Sequence, residues 1–188
     1  HIGAMAEHLQ AVSSGQILRL IISVPPRHGK STITSVLWPT WDWARRPTRR
    51  FVFGSYAMDL ATRDAVYSRR LMDGKWYQDR WGCKCPLAQH VEGCYGFRFT
   101  GDQNVKTLYE NDRGGRRLTA SVRAGTTGEG GSILVLDDAL DILEADSEEA
   151  RSNAWDYTER VFVRRVNNPT TSAIVVVGQR THPDDVTG

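Results

Sequence analysis

The sequence predicts a three-layer α/β fold, a mostly parallel central sheet with helices on both faces, and three stretches carry that prediction. Residues 17–24, rich in Ile and Leu, read as a buried strand that breaks into Pro25, Pro26, Arg27, His28, Gly29, Lys30 and Ser31. Residues 132–138, "SILVLDD", are apolar until they end in two aspartates, which suits a strand in the middle of a sheet covered on both sides. Residues 172–180, "SAIVVVGQR", repeat the pattern and close on Gln179 and Arg180. Helical periods separate the three, so the strands are joined by crossovers and pair in parallel.

The remaining elements follow in order. A helix runs from the start to about residue 12, with Ile2, Met5, Leu9 and Val12 on one stripe, and "SSGQ" stops it. After the first strand, a helix spans residues 31 to about 43. "RRFVFGSY" (49–56) is a second strand, and residues 58–73 form a helix with Leu60, Ala61, Ala65 and Leu71 near helical spacing. Residues 74–94 are irregular, aromatic and cysteine-bearing. Short strands are expected at 96–100, 105–110 and 116–122, as parallel strands or as an antiparallel edge. "AGTTGEGG" (124–131) reads as a flexible loop, because repeated glycine removes side-chain restraint. A long helix is expected from residue 144 to about 166, with Ala150, Ala154, Tyr157, Val161 and Phe162 facing inward. The 188 residues are enough for one domain, 1–188, and both ends read as cut from something longer.

The formal charge of +2 does not by itself select a nucleic-acid partner. The basic runs "RRPTRR" (45–50) and "DRGGRR" (112–117) read equally as phosphate contacts or as solvated loop faces. No apolar run reaches membrane-spanning length and no signal peptide opens the chain. Three cysteines, all between Cys83 and Cys94, give no disulfide framework and suit a reducing, intracellular setting.

A regular phosphate loop is Gly, four residues, then Gly-Lys-Ser/Thr. Gly29, Lys30 and Ser31 supply the end of that pattern, and Val24 stands in the place of the first glycine. The context still favours phosphate, because free backbone N–H groups and the helix dipole meet an anion where a helix follows a strand. Pro26, Arg27, His28, Gly29, Lys30, Ser31 and Thr32 are the candidate ATP-binding residues. Lys30 would reach the β- and γ-phosphates and Ser31 would enter the Mg²⁺ shell. The competing reading is a proline-punctuated turn in which Ser31 caps the helix. Asp137 is the second candidate Mg²⁺ ligand and Asp138 the base that orients water, or the pair caps the chain from Leu140 onward. Two adjacent carboxylates repel, and a bound cation gives them a reason to be neighbours. Gln179 stands at a strand tip where it could sense the γ-phosphate or the attacking water. Arg180 and His182 either relay that state or are polar residues of a strand end.

"RLIISVPPRHGKS", "FGSYAMDLATRDAVYSRRLM", "TGDQNVKTLYENDRGGRRL", "TGEGGSILVLDDAL" and "VVVGQRTHPDDVTG" together resemble, in order and across nearly the whole chain, the large terminase subunit of tailed bacteriophages and prophages. The resemblance implies a packaging ATPase domain of the additional-strand (ASCE, RecA-like) P-loop class. It also implies a C-terminal RNase H-like endonuclease and an upstream adenine-contacting segment, both outside this chain. The implied activity is Mg²⁺-dependent hydrolysis of ATP to ADP and phosphate, driving double-stranded DNA into a procapsid. The implied partners are DNA, the portal protein, the small terminase subunit and further copies in a ring, with a monomer in isolation and no membrane. The implied location is the cytoplasm of the bacterial host, transiently at the portal vertex.

Residue by residue, the resemblance places the loop on Pro25 to Ser31 without needing the first glycine, and makes Arg27 a nucleotide-sensing arginine. The Mg²⁺ aspartate falls on Asp137, the catalytic carboxylate on Asp138, and the coupling motif on Gln179 and Arg180. An arginine donated by a neighbouring subunit is implied too; Arg123 is the candidate, with Arg116 and Arg117 competing. Glu129 stands where relatives often carry a loop arginine. Two rival readings are a helicase-like nucleic-acid motor and a P-loop scaffold whose Val24 and Asp138 mark lost turnover.

"WGCKCPLAQHVEGCYGFRF" departs from the resemblance. Cys83, Cys85, His90 and Cys94 are the ligand types of tetrahedral Zn²⁺, although Cys-x-Cys is one residue tighter than usual. The other reading is three free cysteines and an unrelated His90.

Overall fold

The computed structural model describes residues 1–86, 89–122 and 130–188. Arg123 and the loop residues 124–129, Glu129 included, lie outside the described residues. Strands β1 (Arg19–Ser23), β2 (Arg50–Ser55), β3 (Phe99–Asn104), β4 (Leu108–Asn111), β5 (Arg116–Ser121), β6 (Ile133–Asp137) and β7 (Ala173–Gly178) form one 7-stranded sheet in the order β1-β7-β6-β2-β5-β4-β3. β1, β7, β6, β2 and β5 are mutually parallel. β4 and β3 add an antiparallel edge. Of the three short strands expected between residues 96 and 122, the last therefore belongs to the parallel block.

The helices are α1 (Ile2–Ser14), α2 (Trp38–Trp43), α3 (Met58–Asp73), α4 (Lys75–Trp81) and α5 (Glu148–Tyr157). They cover both faces, and the strand period of two shows how. Ile133 and Val135 join a cluster with Met5, Leu9, Trp38 and Trp43 on one face. Leu134 and Leu136 meet Tyr157 and Phe162 on the other. All four strand residues are 0% exposed, as an apolar central strand requires.

β1 departs from the expected buried strand. It lies at the sheet edge with β7 as its neighbour, and Ile21 is 58% exposed. Its Ile and Leu content matches that of β6, but among the described residues it has a strand neighbour on one side only. The helix expected over residues 31–43 changes winding within its length. Thr32–Leu37 is a π-helical stretch, where the Trp38 N–H reaches back to the Ile33 carbonyl, and α2 follows. Pro39, with no N–H to give, sits where the winding changes.

The expected long helix from residue 144 is also broken. Ile142–Glu144 is a 3₁₀ turn, and α5 starts later because the Ser147 side chain caps it, accepting from the Ala150 N–H at 3.2 Å. After α5 the chain widens into a π turn, Thr158–Phe162, where the Thr158 hydroxyl competes for the Ala154 carbonyl at 2.7 Å. Among the described residues, no helix is long and apolar enough to cross a membrane.

This topology positions the site. β7 lies between β1 and β6, pairing Ser23 with Gly178 and Val177 with Asp137. The carboxyl ends of the three strands therefore open at one edge, where open α/β sheets bind ligands.

Candidate functional site

The loop after β1 makes its turn late. The Val24 N–H still pairs with the Gly178 carbonyl at 3.0 Å, so Val24 extends the ladder. Left-handed backbone falls instead on Arg27 (φ 63°) and Gly29 (φ 79°). Glycine takes that conformation freely, whereas a side-chain-bearing residue gives up about 1–2 kcal/mol. No position-24 glycine is needed, because nothing left-handed happens there. Pro25, Pro26, Arg27 and His28 are exposed, and His28 Nδ1 donates to the Pro26 carbonyl at 2.8 Å.

Lys30 turns inward at the start of the following helix and is 7% exposed. Its Nζ forms an ion pair with Asp138 Oδ1. Ser31 is half-buried beside it and Thr32 is exposed. The Ile33 N–H bonds the Gly29 carbonyl at 3.0 Å, and the Thr34 hydroxyl donates to the Lys30 carbonyl at 2.9 Å.

At the end of β6, Asp137 Oδ2 accepts from the Ser35 hydroxyl at 3.0 Å. Asp137 Oδ1 is buried without a hydrogen-bond partner. Burial, then the neighbouring Asp138 charge, pushes the Asp137 pKa up to about 6, against the opposing pull of Ser31, Lys30 and Ser35. Asp138 itself is left-handed (φ 49°). Its N–H bonds Val177 and its carbonyl receives the Tyr56 N–H, at 2.9 and 3.0 Å, which fixes the turn between β7 and the end of β2. Ser31, Asp137 and Asp138 line one cleft. A buried carboxylate oxygen with no proton donor, beside a hydroxyl and a second carboxylate, is a donor set that fits Mg²⁺.

Gln179 is partly buried and lines a depression together with Asp138. Arg180 points elsewhere. It donates to the carbonyls of His182, Pro183 and Thr187 at 3.3, 2.9 and 3.0 Å, and pairs with Asp185 at 3.4 Å, holding the closing turn.

Two groups at the site escaped the sequence reading. Ser35 lies one helical turn past Ser31, a spacing that could have flagged it. Arg117, weighed as an arginine offered to a neighbouring subunit, is 1% exposed inside the sheet, so no neighbour can reach it. Its guanidinium lies 3.9 Å from the centre of the Phe53 ring and donates to the Ser35 carbonyl at 2.6 Å. Burial pulls its pKa down against the charges of Asp64 and Asp137. Its inward parity with Thr119 on β5 was the available signal. Arg116 pairs with Glu110 at 3.2 Å.

Away from this edge, the structure brings Cys83, Cys85, His90 and Cys94 together, with their donor atoms all within 4.8 Å of one another. His90 is thus part of the cysteine cluster.

No protein-family model matches the chain, and no curated protein sequence matches it. Among solved structures, the large terminase of bacteriophage HK97 superposes with a TM-score of 0.53 at 14% identity, over 91% of this chain and 31% of that one. The large terminase of a thermophilic bacteriophage gives a TM-score of 0.45 at 11% identity, over 89% of this chain and 34% of that one. The HK97 likeness establishes a large-terminase-like fold for this chain, which spans about a third of the terminases it matches.

Proposed function

We propose that this chain is the ATPase motor domain of a viral large terminase, an additional-strand (ASCE) P-loop enzyme that couples ATP hydrolysis to translocation of double-stranded DNA into a procapsid. One observation carries the reading. Lys30 and Asp138, separated by 108 positions in sequence, meet at the carboxyl edge of a parallel sheet. The placement of β7 between β1 and β6 supports the class assignment, because that strand is the addition between the loop strand and the acidic strand. The late turn of the loop weighs against Val24 as a sign of lost turnover.

In this reading the loop N–H groups and Lys30 bind the triphosphate, with Arg27 at its exposed side. Ser31 and Asp137 would hold Mg²⁺, which supplies neutralisation of phosphate charge. Phosphate and Asp138 compete for one ammonium. Binding of the nucleotide at Lys30 therefore frees the Asp138 carboxylate to orient water for in-line attack. Gln179, sharing a depression with Asp138, reports that event to the chain after β7, and Arg180 ties the report to the closing turn.

The DNA, portal and small-subunit partners, the ring of copies, the host cytoplasm, and an endonuclease in the full-length protein follow from the same proposal. The test is binding of Mg²⁺-ATP to the chain by a fluorescent-nucleotide titration. Lys30→Ala is expected to weaken binding by about tenfold or more, about 1.4 kcal/mol. Equal affinity in the two proteins would overturn the phosphate-loop assignment.

A further inference from the structure

Among the described residues, the segment between α4 and β3 has no helix or strand, yet its polar atoms converge. Cys94 Sγ lies 3.7 Å from Cys83 Sγ, and His90 Nδ1 lies 3.3 Å from Cys83 Sγ and 3.9 Å from Cys94 Sγ. A tetrahedral zinc ion with Zn–S of about 2.3 Å and Zn–N of about 2.0–2.1 Å sets these edges at about 3.8 Å for S···S and about 3.6 Å for N···S. The spacings are therefore those of ligands around one ion. The tight Cys-x-Cys spacing does not prevent it, because Cys85 Sγ lies within the same cluster. Backbone N–H groups approach the sulfurs, Cys85 N to Cys83 Sγ at 3.4 Å and Val91 N to Cys85 Sγ at 3.3 Å, as thiolates prefer.

The surroundings complete the case. His90 Nε2 donates to Asp112 Oδ2 at 3.0 Å, which leaves Nδ1 with its lone pair turned to the cysteines, the carboxylate–histidine–metal arrangement. Asp112 also accepts the Arg98 N–H at 2.9 Å. Arg98 and Arg113 bond the carbonyls of Cys85 and Cys94, so two guanidiniums border a centre whose three thiolates and one Zn²⁺ leave a net negative charge. A disulfide would use two cysteines and account for neither the third nor His90.

We propose that Cys83, Cys85, His90 and Cys94 bind one structural Zn²⁺, and that Asp112 orients His90 and so clamps this segment onto the turn after β4. All four ligands come from protein, which makes the centre closed and non-catalytic. The inference does not depend on the ATPase reading.

The test uses the whole 188-residue chain, purified in reductant without chelator and analysed by inductively coupled plasma mass spectrometry. About one zinc per chain is expected; less than about 0.1, or iron in its place, would overturn the site. Cobalt added to metal-stripped protein should give a thiolate charge-transfer band and the intense ligand-field bands of a tetrahedral centre. Weak octahedral bands would also overturn it. Cys94→Ser should lose the metal. If that variant does not fold, Asp112→Asn carries the argument: it should keep zinc but release it to a competing chelator about 10–100-fold more readily. Unchanged affinity in Asp112→Asn would remove the clamp from the proposal.

Discussion

Along β1, β7 and β6, polar side chains more than a hundred positions apart meet because parallel strands end at one edge of the sheet. Beside β3 and β4, by contrast, four ligands meet within one short segment, and nothing in the strand order requires it. The first arrangement is a product of topology. It is held by backbone ladders and by the packing of Leu134, Leu136 and Phe162 beneath it. The second is held by side-chain bonds that join Asp112, Arg98 and Arg113 to a stretch whose Val91 and Tyr95 are 59% and 68% exposed. A site built by strand order tolerates loss of one side chain as far as the fold is concerned. A site built by its ligands does not.

That contrast can be broken at either end. The largest effect is expected from Lys30→Ala, which should slow hydrolysis by about 10²–10³-fold, the range for removing one preorganised charge-stabilising donor, while the metal content stays unchanged. A variant that also lost its zinc would mean that the two regions share stability. Asp137→Asn comes next. The folded-state pKa of Asp137 is raised from 3.8 to about 6, so the native state holds more protons than the unfolded one between these values. Stability without Mg²⁺ therefore falls as pH rises through that window and stays lower above it. Removing the charge should recover on the order of 2 kcal/mol at pH 7.5 and nearly nothing below pH ~4, read from urea titrations at both pH values. Equal gains at both would assign the effect to something other than Asp137 ionisation.

Cys94→Ser should lower the melting temperature and open residues near Cys94 to proteolysis, with nucleotide affinity within about twofold of wild type; parallel loss of both would merge the regions. The smallest effect belongs to Ser147→Ala, which removes the cap of α5 for about 1 kcal/mol and should leave both sites as they are. A loss several times larger would show that α5 does more than cover its face of the sheet.

The central strand was fully legible, since an apolar run ending in Asp137 and Asp138 admits few other places in an α/β sheet. That Lys30 and Ser31 lie at the same edge was legible from the Gly-Lys-Ser that follows the first strand, and the four zinc-type ligands could be picked out as residue types. Strand order was not. β1 and β6 have similar composition, and whether such a strand lies at the edge or the centre depends on partners that approach from elsewhere in the chain. Arg117 was misread because arginine is seldom buried, and the Phe53 ring, the Ser35 carbonyl and the carboxylates around it make that place tolerable. The breaks at Ser147 and Thr158 were written in capping and back-bonding residues, but the hydrophobic period ran through them and suggested a continuous helix.

The position of β7 also bears on how the chain reaches its native state. β1 is synthesised before β7, yet among the described residues its strand partner is β7, which begins at Ala173. Until β7 is synthesised and slots in beside β6, the first strand has no ladder to join. Non-local pairing of this kind slows the search for the native arrangement. Assembly of the site therefore draws on β7, whose end joins the chain after β1 to Asp138 through the carbonyls of Gly178 and Val177.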